Sequence, residues 1–251
     1  MSALGQAASA EWVKVRSVRS TAVTLTVFAV LSLGFARLVG GSLEDSFYGG
    51  DTLSATFMGL LITQLILVTF AVASVGSEYS TGTIRASLAA VPSRGRLFAA
   101  KMTVVGAAVA VTVLPVELAA FAIVQGLAGD KAAGWTDWET IESLLGGWIS
   151  LTLMCVFAAA ITVLTRSTVW TLAILLPILF LSGQGLGNLD AIRPVIQYFP
   201  DQVGMVIMHM TIPGDPTFGR DYGAWTGIGI LVLWTAAALG AGWLAMRRRD
   251  A

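Results

Sequence analysis

Six apolar stretches, each about the length of a bilayer crossing, dominate the chain: Thr21–Val39, Leu53–Gly76, Met102–Ala128, Leu144–Leu164, Thr168–Gly187 and Ala224–Met246. A helix needs about 20 mostly apolar residues to cross a hydrocarbon core of ~30 Å. No water reaches that layer, so only helices or closed barrels can satisfy their amides there, and the alternation of a barrel strand is absent. The runs predict an all-α, polytopic membrane protein with six transmembrane helices. Charged residues make up 12% of the 251, about half the ~25% of a soluble domain. The first run is longer than the core of a signal peptide, about 7–15 residues, and reads as a retained span. Pro177 interrupts the fifth, which reads as a kinked span rather than a re-entrant one.

The net charge of zero hides a strong sorting by loop. One set of segments holds Lys14, Arg16, Arg19, Arg85, Arg94, Arg96, Lys101, Arg166, Arg247, Arg248 and Arg249, whereas the other holds only Arg37, Lys131, Arg193 and Arg220. Basic loops stay inside. Six spans with this bias put both termini in the cytoplasm, and Glu44, Asp45, Asp51, Asp130, Asp137, Glu139, Glu142, Asp190, Asp201, Asp215 and Asp221 outside. Cys155 is the single cysteine and lies in an apolar run. It reads as a small buried hydrophobe.

Residues 1–20 read as a separate cytoplasmic unit and residues 21–251 as the transmembrane domain. Within the first, Leu4, Ala8, Trp12, Val15 and Val18 recur at helical spacing, with Lys14, Arg16 and Arg19 mostly elsewhere on the wheel. This pattern predicts an amphipathic helix lying along the interface, an elbow before the first span. Between the second and third spans, Ile84, Leu88 and Val91 share a face, hydroxyl residues precede them as N-cap candidates, and Pro92 with Gly95 follows. A short cytoplasmic helix that exposes an apolar stripe calls for a partner protein. Outside, Val203–Met210 is a helix-sized apolar stretch between Pro200 and Pro213. It reads as lying at the outer surface or dipping into it, or as ordinary packing on the span ends. His209, the lone histidine, reads as a satisfied surface or interface residue rather than a ligand. In the last span, Ala236/Gly240, Ala237/Ala241 and Ala238/Gly242 offer small-residue packing surfaces.

No phosphate-cradling G-x-x-x-x-G-K-[ST] motif occurs, nor H-E-x-x-H or G-x-S-x-G, and one histidine with one cysteine cannot build a zinc site. The chain is therefore not expected to be an enzyme or to bind a cofactor, and active transport would draw its energy from a partner or an ion gradient. Nothing in it points to nucleic acid.

The segment Ser77–Arg96, with the opening Glu11-Trp12-Val13-Lys14-Val15-Arg16-Ser17-Val18-Arg19-Ser20-Thr21 and the outer Tyr198-Phe199-Pro200-Asp201-Gln202-Val203-Gly204, resembles the permease subunit of ABC-2 type transporters, particularly the actinobacterial kind. The resemblance extends over the whole six-span plan. It implies a multi-pass protein of a bacterial plasma membrane, a coupling helix in the loop after the second span and short external helices before the last span. Glu78, Tyr79, Thr81, Gly82, Thr83, Ile84, Arg85 and Leu88 would then contact an ATPase subunit. It further implies a second permease copy, two separately encoded ATP-binding-cassette subunits holding ATP and Mg, and export of a small amphiphilic substrate such as a drug, peptide or lipid-like metabolite.

Glu117 stands alone in the third run, beside Pro115. A carboxylate at mid-membrane costs roughly 2.5–3.5 kcal/mol on insertion scales. Its depth, about 22 Å along the helix, matches that of Arg37 at about 24 Å in the first. A buried polar cluster of Arg37, Glu117, Gln125 and Gln184 is one reading and a lining of the substrate path another. Arg37 could instead snorkel outward to Glu44 or Asp45. Two rival functions remain at this level. A secondary transporter or channel would carry ionisable residues in several spans and perhaps inverted repeats; one buried acid and no repeat are present. A non-transporting scaffold or immunity factor shares every topological feature.

Overall fold

A computed structural model describes residues 3–43, 51–91, 93–183, 189, 191–212, 214–215 and 218–248. Among these there are helices and turns but no strand. The helices are α1 (Ala3–Ser17), α2 (Arg19–Gly40), α3 (Thr52–Ser80), α4 (Ile84–Ala90), α5 (Arg94–Ala128), α6 (Trp138–Thr165), α7 (Thr168–Gly183), α8 (Arg193–Ile196) and α9 (Ala224–Arg248). Five of them, α2, α3, α5, α6 and α9, are long and apolar enough to cross a membrane.

The helices outrun the apolar stretches, because the backbone ladder continues past the hydrocarbon into the interface. α3 extends through Ser80, α5 starts at Arg94 and includes Lys101, and α6 starts at Trp138. Gly95, expected to lie in a helix stop, sits in the first turn of α5 against Trp243. Asp51 caps α3 by accepting from the Leu53 and Ser54 amides at 3.0 and 3.2 Å. α6 ends where Arg166 turns left-handed, its amide donating to the Thr162 carbonyl at 2.9 Å.

α7 differs from the expected fifth span. Its 16 residues cover about 24 Å at 1.5 Å each, less than a full crossing, and residues 184–187 lie outside the described set. It must nonetheless lead the chain across. α6 ends beside Tyr79, over whose ring the Arg166 guanidinium lies at 6.0 Å, whereas the segment that leads into α9 packs on the first half of α6. α9 then returns, so that Arg94 at the head of α5 donates to the Met246 carbonyl at 3.2 Å. Thus α1, α4 and the C-terminal turn of α9 share one end of the bundle with most of the basic residues.

α3 and α6 are the most enclosed helices, and α2 and α9 flank them. The core runs along Phe57, Leu60, Leu67, Val109, Val113, Leu151 and Ala158. Cys155 lies within it. Hydroxyls inside the bundle satisfy themselves on their own helices, as Thr56 does on the Thr52 carbonyl and Thr63 on that of Gly59; Ser32 and Thr63 also bond across α2 and α3 at 2.7 Å. Of the small pairs in α9, Ala238/Gly242 alone packs on other described residues, Phe98 and the Ala160 carbonyl; Ala236, Ala237, Gly240 and Ala241 are exposed.

The outer segment Val203–Met210 is not the helix that the resemblance implies; it packs inward on the span ends, the other reading of its apolar composition. Residues 197–209 form consecutive turns after the single-turn α8. They dip into the bundle: Val203, Met205, Ile207, Met208 and Met210 are buried, and Ile207 lies against Gly146 of α6. Polar contacts replace a regular ladder. The Gln197 amide group donates to Asp221 at 2.6 Å, and Arg220 donates to Gln202 at 2.7 Å. Here Gln202, with its own bond to Asp201, latches the turn run to the strap before α9.

Candidate functional site

The basic end of the bundle carries an arrangement that the sequence did not announce: four charges from three helices, mostly buried. Glu11 and Lys14 lie one helical turn apart on the inward face of α1. Glu78 closes α3, and Lys101 enters from α5. The Lys101 ammonium donates to both Glu11 oxygens at 3.1 Å and to Glu78 Oε1. Lys14 bridges the same carboxylates, 2.6 Å from Glu78 and 3.1 Å from Glu11. The Lys101 and Glu78 side chains are only 3% and 4% exposed, against 41% for Lys14. Burial alone would lower the Lys14 ammonium, but the Glu78 and Glu11 carboxylates outweigh it and hold its pKa above the usual lysine value. Each charge stays in the interior because it is paired.

The outward face of α1 is the complement of this brace. Leu4, Trp12, Val13 and Val18 are exposed, whereas Ala7 and Glu11 are buried and Val15 packs on the core. A break at Val18, in extended conformation, separates α1 from α2.

Beyond the brace, the chain turns from α3 into α4. The Thr81 amide and hydroxyl both donate to the Ser77 carbonyl, at 3.0 and 2.8 Å. Gly82 takes a φ of 72°, a left-handed conformation that costs a side chain energy but not glycine. The expected hydroxyl N-cap does not form, since Thr83 makes no side-chain bond to the α4 amides; its hydroxyl pairs with that of Thr81 at 2.9 Å. Thr81, Gly82, Thr83 and Arg85 are all exposed.

Two expectations for this loop need correction. The apolar stripe of α4 is covered by the chain itself: Ile84 is buried, and Leu88 and Val91 pack against the same core. Glu78 is consumed by its two lysines, and Tyr79 packs on the core under Arg166. The reason is geometric. α3 continues one turn past its apolar run, which directs Glu78 inward, and the tight turn at Gly82 folds α4 back over the helix ends.

The supposed intramembrane cluster does not assemble. Glu117 is fully buried and neither oxygen has a hydrogen-bond partner among the described residues. It lies against the bare backbone of Gly147 in α6, beside Phe57 of α3. Arg37 is exposed on α2 and forms no ion pair with it among the described residues. Gln125 accepts from the Ala133 amide at 2.7 Å and so pins the turn after α5. Gln184 falls outside the described residues. Equal depth along two helices does not fix their rotation, and the rotation turns Arg37 away.

At the opposite end, His209 sits between two helix starts, 3.5 Å from Asp51 and 3.6 Å from Glu139. The Asp51 carboxylate raises the imidazole pKa against the effect of burial, while Asp51 itself is held below its usual value. Among the described residues no group of acids, histidine and cysteine could hold a metal ion.

The described helices thus set a buried charged brace directly behind an exposed turn. A family model described as ABC-2 family transporter protein matches residues 8–182, which takes in most of α1, the brace and the α3–α4 turn. The chain belongs to the ABC-2 transporter family. No individual curated protein matches it. As an ABC-2 permease it is the membrane component of an ABC transporter, a multi-pass protein of a bacterial membrane that works with ATPase subunits and is not itself the catalytic part. The matched region stops within α7, so the outer segment and α9 lie beyond it. Sequence reasoning found the turn but missed Glu11, Lys14 and Lys101 as a unit, having counted both lysines as topological signals and placed Lys14 on the polar side of the elbow helix. A Glu–Lys pair at i,i+3 before one span and a lone lysine at the edge of another were the available cues.

Proposed function

We propose that this permease is the path-forming subunit of an exporter and that its basic end faces the cytoplasm, with both termini there. Residues 1–20 form the interfacial elbow. The exposed turn Thr81–Gly82–Thr83 with Arg85 docks on an ATPase subunit that holds ATP and Mg; a second permease copy and a second ATPase complete the assembly. The observation that carries the reading is the placement of this turn. It caps α3 directly above the buried brace of Glu78, Lys101, Glu11 and Lys14, so a displacement of the turn is shared by α1, α3 and α5. Closure of the ATPases would thereby bias the membrane helices between two packings. The mostly apolar bundle suits an amphiphilic substrate.

The test is co-purification of the tagged chain from its native membrane. Thr83→Asp with Arg85→Glu reverses the exposed charge without touching the core, and we expect the ATPase to be lost while the permease still inserts and folds. Asp137→Lys, at the opposite end, should leave the complex intact. Retention of the ATPase at full stoichiometry by the Thr83/Arg85 variant would remove this turn from the interface.

A further inference from the structure

A cavity of about 190 Å³ opens beside the brace, bounded by the break between α1 and α2, the last turns of α3 and the head of α5. Its lining is sharply divided. At one end lie Lys14, Lys101 and Glu11, the two ammoniums balanced by Glu11 and by Glu78, which bonds both lysines from outside the lining. The walls carry the hydroxyls of Thr21 and Thr24 on α2 and of Ser74 and Ser77 on α3. At the other end Phe70, Val104 and Val105 present apolar surface. Arg16 and Arg19, both exposed, flank the break on the chain segment that forms its rim.

From this division we infer that the cavity binds the phosphate headgroup of an anionic glycerophospholipid from the cytoplasmic leaflet, one per chain, with the first part of an acyl chain along Phe70 and Val105. The chemistry selects the ligand. The brace itself is neutral, and the two rim arginines favour a net negative group over a zwitterion. The hydroxyls of Thr21, Thr24 and Ser77 suit phosphate and glycerol oxygens, while that of Ser74 donates to the Phe70 carbonyl. The apolar end suits a tail that a free anion lacks. Depth agrees: the polar end is level with the end of α3 and the start of the apolar run of α5, where headgroups meet hydrocarbon. A headgroup held there would lie across the joint between α1 and α2 and join the elbow to the bundle. The inference rests on the proposed cytoplasmic placement of the basic end, but it stands whether or not the turn at Gly82 docks an ATPase.

The probe is phosphatidylglycerol, compared with phosphatidylcholine of the same chains, added to the delipidated full chain and followed by native mass spectrometry. One phosphatidylglycerol should be retained at least tenfold more tightly than phosphatidylcholine. Thr24→Leu, which fills the cavity without altering charge, and Arg19→Gln, which removes a rim cation, should each weaken retention by roughly tenfold. Both variants should keep the helical circular dichroism and monodispersity of the parent, so that loss of lipid is separated from loss of fold. Inorganic phosphate and glycerol 3-phosphate should not compete at equal concentration. Equal retention of the two lipids, or unchanged retention by the Thr24 variant, would overturn the assignment. Competition by inorganic phosphate would make this an anion site and equally overturn the lipid.

Discussion

Replacing Lys101 with methionine tests the brace most directly. The side chain is 3% exposed and its ammonium serves Glu11 and Glu78, themselves 10% and 4% exposed. Methionine keeps the aliphatic bulk and removes only the charge. Two carboxylates then share Lys14 alone, and the loss of one partner from a buried ion pair typically costs about 3–5 kcal/mol, because a desolvated charge is stranded. This is a hundred-fold or greater change in the folded-to-unfolded ratio, at about 1.4 kcal/mol per tenfold. Lys14→Met offers the comparison. Its side chain is 41% exposed, so solvent screens its pairs and the cost should approach ~1 kcal/mol. Neutralising the stranded acids, with Glu11→Gln and Glu78→Gln added to Lys101→Met, should recover most of the loss. The assay is unfolding in mixed micelles by titration with a denaturing detergent, followed by circular dichroism. If Lys101→Met costs no more than Lys14→Met, or if removing the acids does not rescue it, the brace does not hold the three helices as argued.

Three further outcomes are expected. Glu117→Met should be neutral or stabilising by about 1–3 kcal/mol in the same assay, since it removes a buried carboxyl that bonds to nothing described; strong destabilisation would mean that the acid has a partner. Gly147→Ala should cost roughly 1–3 kcal/mol through overpacking, because its new carbon would lie 2.6 Å from the Glu117 oxygen and closer still to Phe57; a silent substitution would show that α5 and α6 pack less tightly there. His209→Asn, which tolerates the left-handed backbone at φ 56°, should lose under ~1 kcal/mol, and that loss should depend on pH. The folded imidazole has a raised pKa, so its contribution is complete below the unfolded value of 6.5 and disappears as pH rises through the folded one. The depressed Asp51 makes the contribution fall again in acid, below 3.8. A gap between parent and variant that stays constant across the alkaline side would refute the pairing.

Much of the architecture was legible without coordinates, and for one reason: the bilayer imposes a length and a hydropathy that a chain cannot disguise. The runs located α2, α3, α5, α6 and α9, and the sorting of the basic residues picked out the end where α1, α4 and the last turn of α9 gather. What failed depended on helix rotation or on how a loop folds back. Inside a membrane nearly all positions are apolar, so hydropathy barely distinguishes a face that meets a neighbour from one that meets lipid. Arg37 and Glu117 share a depth but not a direction. Ile84 and Leu88 read as an exposed stripe but close over the chain's own core. The outer stretch Val203–Met210 has a helix's composition, yet as turns it fills a gap against Gly146, where the absence of a side chain on α6 leaves room.

By itself the sequence determined that the chain crosses a membrane many times, which end carries the positive charge and, through the turn after α3, which transporter family it resembles. These are properties of segments, set by the solvent that each segment must inhabit. Only the tertiary structure decided that Glu78 looks inward and that Lys101 and Lys14 share it with Glu11, because residues 11, 14, 78 and 101 meet through the packing of α1, α3 and α5. A buried charge is stable only beside its partner, and which charges become partners is fixed by where the helices come together.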